Sequence, residues 1–270
     1  MSTTRTSIAS AFALLRARGE VGLLPFIPAG YPDLQTTRAI LPALEAAGAS
    51  AIEIGFPFSD PIADGPVIQE AFTTALAAGV KVAHVFSTIA AVRPAVSIPL
   101  VAMVSFSIVY RYGVERFIAE ARKSGFGGIL MPDLPPPEAC SVCGLIRNAG
   151  LDTILLVSPT TSPSRRAEIV RLCSGFVYYL SVTGITGERD QLPPDVEKNL
   201  SELRAISQVP VCVGFGISKR QHVLRLAACA DGVIVGSAFV RRIKENAGRS
   251  PAQIASAVGD YCRELLGREP

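Results

Sequence analysis

Residues 51–66 read AIEIGFPFSDPIADGP. Ala51 to Gly55 form an apolar run with one acid in it, Glu53, and predict a short buried strand. Pro57, a Ser59-Asp60-Pro61 turn and an Asp64-Gly65-Pro66 turn then break it. Proline removes a backbone donor and glycine opens positive φ, so no strand continues through the segment. Glu53 at the strand end and Asp64 in the loop are therefore expected to face a common space. A carboxylate in an apolar strand costs several kcal/mol unless it is paired, solvated or used in chemistry. A buried acid satisfied by a backbone amide or an arginine is the plainer reading of Glu53 alone.

Outward from this stretch, similar apolar segments recur along the chain. They are 22–29, 50–56, 100–106, 127–133, 153–158, 176–182, 209–216 and 232–237. Each is nearly continuously apolar, as strands covered on both faces are. Helical patterns separate them, among them 114–123, 137–148 and 164–173. Strand and helix alternating eight times predict an α/β chain folded as one (β/α)8 TIM barrel over residues 1–270. The competing arrangement is a doubly wound open sheet, which eight near-equal repeats disfavour.

Two additions to the plain barrel are expected. Ile8, Phe12 and Leu15 share one helical face, predicting an N-terminal helix over the base. The long gap after the second strand predicts an extra helix within 66–92. Gly48, Gly79, Gly125 and Gly150 follow helical patterns where a left-handed residue is wanted. Ser250-Pro251 predicts the start of a last helix. Pro42 conflicts with the pattern 36–47, so that helix either bends or begins late.

Composition narrows the function classes. Hydrophobic residues make up 49% of the chain and charged ones 18%, which describes a well-buried core and excludes a disordered chain. A net charge of +3 without a Lys/Arg block gives no footing for nucleic acid. Cys140 and Cys143 form C-x-x-C, but with only His84 and His222 in the chain no metal set is completed. Reduced thiols, a cytoplasmic location and no metal are expected. No apolar run approaches the roughly 18 residues of a membrane span. The basic, acid-free first 18 residues faintly resemble a transit peptide, but the helical face is the better account of them.

In such a barrel, chemistry sits where strands end in βα loops. Beyond Glu53 and Asp64, those positions hold Asp133, Thr183-Gly184, Thr186-Gly187, Gly214-Phe215-Gly216-Ile217-Ser218 and Gly236-Ser237. Glycines at two neighbouring strand ends let backbone amides approach an anion, and a helix start adds its positive end. A phosphate site built from amides and Ser237 follows. The segment 178–192 is either an ordinary mobile loop or a lid over a phosphorylated substrate.

The acidic stretch also resembles the motif of tryptophan synthase alpha chains. So do FIPAGYP at 26–32, MPDLP at 131–135, SVTGITG with Arg189 and Leu192-Pro193, GFGIS at 214–218 and GSAFV at 236–240. The resemblance covers about residues 24–266. It implies cleavage of indole-3-glycerol phosphate to indole and glyceraldehyde 3-phosphate, with the indole passed to a pyridoxal-phosphate beta subunit in an alpha2beta2 heterotetramer. It implies no cofactor in this chain. By the same resemblance Glu53 is the acid/base and Asp64 the partner of the indole nitrogen. Phe26 touches the indole, and Tyr178, Thr186, Gly187, Gly216, Gly236 and Ser237 hold substrate and phosphate. Pro57, Asp60, Asp133 and Pro135 fall in segments that meet the beta chain. The chain departs from the family at Met103-Val104-Ser105-Phe106-Ser107, where Tyr and Asn usually flank the acid/base. Ser105 and Ser107 holding water, or Tyr110 or Tyr112 reaching in, are the expected substitutes. The alternatives are a lyase working alone and a non-catalytic activator of a beta chain.

Overall fold

The computed structural model describes residues 6–61, 64–181, 195–214 and 216–269. Eight parallel strands close on themselves in sequence order. They are β1 (Gly22–Pro28), β2 (Ile52–Gly55), β3 (Leu100–Met103), β4 (Gly128–Leu130), β5 (Asp152–Val157), β6 (Val177–Leu180), β7 (Val211–Gly214) and β8 (Gly232–Val235). β1 pairs with both β2 and β8, which closes the ring. The open-sheet alternative is thereby excluded.

Most strands end sooner than the apolar runs suggest, because glycines and apolar residues continue into the turns above them. β2 stops at Gly55 and β3 at Met103.

The helices are α1 (Ile8–Arg18), α2 (Leu34–Ala47), α3 (Pro66–Ala77), α4 (Val82–Val92), α5 (Phe106–Tyr112) and α6 (Val114–Ser124), followed by α7 (Pro136–Asn148), α8 (Pro163–Leu172), α9 (Val196–Ile206), α10 (Arg220–Leu226), α11 (Ser237–Glu245) and α12 (Pro251–Leu266). α1 is the expected N-terminal helix, and α3 with α4 supplies the extra helix after β2. Ser250 caps α12 through a capping box, with Pro251 in the first turn. Gly48, Gly79, Gly125 and Gly150 all have positive φ. α2 starts at Leu34, its N-cap Asp33 accepting from the Thr36 N–H, and runs through Pro42. The late start is therefore excluded. α5 has no counterpart in the sequence reading, which carries the third strand on to Phe106.

Side-chain parity sorts the strands into two layers. Leu23, Ile27, Ile52, Ile54, Val177, Tyr179, Val211, Val213, Val233 and Val235 point outward into the helix layer. Leu24, Ala51, Val101, Leu130, Ile154, Phe176, Tyr178, Cys212 and Ile234 fill the barrel interior. α1 closes the base by inserting Ile8 and Phe12 into that interior, with Phe12 against Phe176 at 6.1 Å between ring centroids. No single helix among the described residues is long and apolar enough to cross a membrane.

Candidate active site

Glu53 lies between Ile52 and Ile54, which face the helices, so its own side chain faces the barrel interior with Ala51 and Gly55. It is 1% exposed, and its Oε1 has no hydrogen-bond partner among the described residues. The plainer reading, an acid satisfied by an amide or arginine, leaves this oxygen unexplained. A carboxyl group so placed avoids the cost of a buried charge by holding its proton. Burial raises its pKa to about 8.

Asp64 sits half-buried just before α3. Its N–H donates to Pro61 O at 3.0 Å, and Gln69 Nε2 donates to Asp64 O at 2.7 Å. The first turn of α3 thus fixes the acid's backbone. Burial raises its pKa to about 6. Tyr178, inward on β6, feels the negative charge of both Glu53 and Asp64, and burial with those charges holds its phenol protonated. The two acids therefore share one mouth of the barrel. Around neutral pH they differ: Glu53 is largely protonated and Asp64 largely ionised. Two carboxyl groups with separated proton affinities have the chemistry to pair a proton donor with a fixed negative charge.

Two glycines shape this mouth. A Cβ on Gly55 would lie 2.5 Å from Phe26 Cζ, and one on Gly214 would lie 2.2 Å from the Tyr178 hydroxyl. Both rings thus lie across bare backbone, Phe26 over β2 and Tyr178 over β7. Met103, Leu156 and Leu180 share the inward parity, yet stay only half-buried because they border the open end. Sequence reasoning missed these three. Counting alternate positions from Glu53 across the strand register would have found them.

Gly214 pairs with Ile234 in the sheet. Gly216 and Gly236 are each two residues beyond that pair, so the two turns leave the sheet side by side. Gly216 has φ +74°. Gly236 starts α11 without any side-chain cap, leaving the first-turn amides near Ser237 without an intrahelical acceptor. Such a helix start attracts an anion. Thr183, Gly184, Thr186, Gly187, Arg189, Leu192, Pro193 and Phe215 lie outside the described residues.

The departure after β3 has a definite structure. Ser105 caps α5, accepting from the Ser107 N–H, while its Oγ donates to Asp133 Oδ2 at 2.6 Å. The Phe106 N–H donates to Asp133 Oδ1 at 2.7 Å, and the Ser105 and Ser107 hydroxyls are 2.7 Å apart. The serines therefore tie the β3 turn to the β4 turn. Neither tyrosine substitutes for the missing ring. Tyr110 is 73% exposed, and Tyr112 packs on Phe86 and Phe117 with Arg116 over its face. Pro57 and Pro135 are half-buried, and Asp60 and Asp133 exposed, on the same rim. Asp60 accepts from Ser59 Oγ at 2.5 Å. All six cysteines are free thiols, and Cys140 is exposed while Cys143 is buried.

Known proteins resemble the chain over nearly its whole length. The family model described as tryptophan synthase alpha chain matches residues 12–266. The tryptophan synthase alpha chain of Rhodopirellula baltica is 43% identical over 270 residues, covering 96% of this chain and 97% of the relative. That of Prochlorococcus marinus is 43% identical over 265 residues, covering 98% and 95%. The tryptophan synthase A-subunit structure from Pyrococcus furiosus superposes with a TM-score of 0.84 at 40% identity, covering 91% of this chain and 98% of that one. A structure from Aquifex aeolicus VF5 superposes at 0.86 with 33% identity, covering 97% and 99%. With an acid-bearing barrel mouth and relatives matched from end to end, this chain belongs to the tryptophan synthase alpha chain family.

Proposed function

We propose that Glu53 and Asp64 carry out the cleavage of indole-3-glycerol phosphate at the open mouth of this barrel. Alpha chains of tryptophan synthase are lyases that perform this reaction in tryptophan biosynthesis, and the chain is one of that family. The observation that carries the residue assignment is the buried Glu53 carboxyl group with an unpartnered oxygen.

The reaction is a retro-aldol. Glu53 gives its proton to indole C3, forming an indolenine. The resulting carboxylate takes the proton of the C3′ hydroxyl as the C3–C3′ bond breaks, releasing indole and glyceraldehyde 3-phosphate. A carboxyl group with a pKa of about 8 suits both halves, since it holds a proton near neutrality and regains one readily. Asp64, ionised, accepts the indole N–H and stabilises the positive charge that develops on the ring. Phe26 and Tyr178 border the indole, and the amides at Gly216, Gly236 and Ser237 hold the phosphate. Thr186 and Gly187 are assigned to the same substrate by resemblance alone.

The reading extends to a partner. A tryptophan synthase beta subunit carrying pyridoxal phosphate meets the rim at Pro57, Asp60, Asp133 and Pro135, in a cytoplasmic alpha2beta2 assembly. This chain itself takes no cofactor. The Ser105–Asp133 link supports such a docking face, because it makes the β3 and β4 turns one unit.

An indole-release assay with and without a beta subunit tests the proposal. Glu53→Gln is expected to lower kcat by about 10²–10⁴-fold or more. Equal rates for wild type and Glu53→Gln would remove Glu53 from the chemistry. Activity that appears only with the beta subunit would exclude a lyase working alone, and binding without cleavage in either case would identify a non-catalytic activator.

A further inference from the structure

Phe72 has no part in the residue assignments above, yet it fixes a wall of the site. It lies on α3, 5% exposed, with its ring edge-on to Phe26 at 6.4 Å between centroids and 74° between planes. Its Cζ is 3.2 Å from where a Gly55 Cβ would stand, and Phe26 Cζ is 2.5 Å from the same point. The Phe26 ring is therefore bounded on two sides, by the bare backbone of Gly55 and by the edge of Phe72.

Spacing places Phe72 in line with the site. Ile68 and Phe72 are four residues apart and share one face of α3, while Asp64 lies in the turn two residues before the helix begins. Ile68 also reaches the mouth, its Cδ1 lying 4.0 Å from a Cβ built on Gly236. The opposite side of α3 is held to α11 by Glu70 and Lys244 at 2.5 Å. α3 thus follows directly on the turn that carries Asp64 and sets the Phe72 ring against Phe26.

We propose that Phe72 is a specificity-determining residue: by holding the Phe26 ring against Gly55, it sets which ring-substituted indoles the site accepts. This rests on the function proposed above. Removing the Phe72 ring frees space beside Phe26 for a substituent on the carbocyclic ring. Adding a methyl group at Gly55 forces Phe26 the other way, into the substrate's volume.

The test runs the reaction in the synthetic direction, where indole C3 adds to the aldehyde carbon of glyceraldehyde 3-phosphate and the carbonyl oxygen becomes the C3′ hydroxyl. Indole competes in one tube with 4-, 5-, 6- or 7-methylindole, and the product ratio is read for wild type, Phe72→Leu, Phe72→Ala and Gly55→Ala. A ratio within one tube is independent of how much protein is folded, so a destabilised variant still reports. For at least one isomer the methylindole share is expected to rise about tenfold in Phe72→Ala, less in Phe72→Leu, and to fall in Gly55→Ala, since one methyl group in an apolar pocket changes selection by about 10–200-fold. Failure of every isomer to rise beyond about threefold in Phe72→Ala would overturn the inference. A wild-type protein that condenses neither indole nor methylindole would instead overturn the function, and this inference with it.

Discussion

The two ends of the barrel interior use the same residue type for opposite purposes. At the base, a Cβ on Gly128 would lie 3.0 Å from Ile8 Cδ1, and one on Gly232 would lie 3.1 Å from Phe12 Cε1. Those glycines make room for α1, whose side chains fill the ring and exclude water. At the mouth, Gly55 and Gly214 make room for the rings of Phe26 and Tyr178. The base is a packed core in which Ile8 and Phe12 meet Leu24, Ile154, Phe176 and the buried thiol of Cys212. The mouth keeps a fully buried acid, Glu53, under half-buried Met103, Leu156 and Leu180. Bare backbone positions in the strands take the plug helix at one end and the rings of Phe26 and Tyr178 at the other.

Truncating the plug sharpens this contrast most. Phe12→Ala is expected to cost about 3–5 kcal/mol of stability, as large-to-small changes in a packed core do. Its kcat/KM should stay at the wild-type value below the melting transition, read by calorimetry and by indole release. Glycine substitutions at the two ends come next. Gly214→Ala drives a methyl group into the Tyr178 hydroxyl and should lower kcat/KM by about 10²-fold, the effect of an ångström-scale displacement near the chemistry. Gly128→Ala crowds Ile154 and Ile8 at 2.8 and 3.0 Å. It should cost about 1–3 kcal/mol of stability and leave kcat/KM alone. Equal losses of kcat/KM in the two variants would break the distinction between the ends.

Glu53 makes the mouth a site of stored instability with a defined pH dependence. Its folded pKa, about 8, lies above the ordinary value of 4.5 from which it is raised. The unfolded chain therefore releases this proton first, and stability is lost as pH rises from about 4.5 through about 8. Glu53→Gln should show no such loss. Its advantage over wild type should be near zero at pH 4.5 and grow to on the order of 4 kcal/mol at pH 8. The smallest expected effect is at the rim. Ser105→Ala removes the α5 cap and should cost about 1 kcal/mol.

The strands and the base were legible in the sequence because each depends on local pattern. The apolar runs gave eight strands, and Ile8, Phe12 and Leu15 gave the plug. α5 escaped because Phe106, Ile108 and Val109 extend the apolar run of β3, while its start depends on Ser105 acting as a cap. The acids were legible as residues out of place in apolar or turn surroundings. Phe72 was not, since an aromatic on a helix reads as core until its edge is seen against Phe26. The partners of Ser105 were also hidden, because Asp133 is 28 residues away in sequence and meets it only when β3 and β4 lie side by side.

The central claim is that Glu53 holds a proton near neutral pH inside the barrel mouth. Difference infrared spectroscopy of wild type against Glu53→Gln, titrated across pH, reads the carboxylic C=O band of that one side chain. A protonated-carboxyl band present at pH 7 and lost with a midpoint near 8 is the predicted result. A Glu53 already ionised at pH 6, with only the carboxylate bands in the difference spectrum, would contradict it.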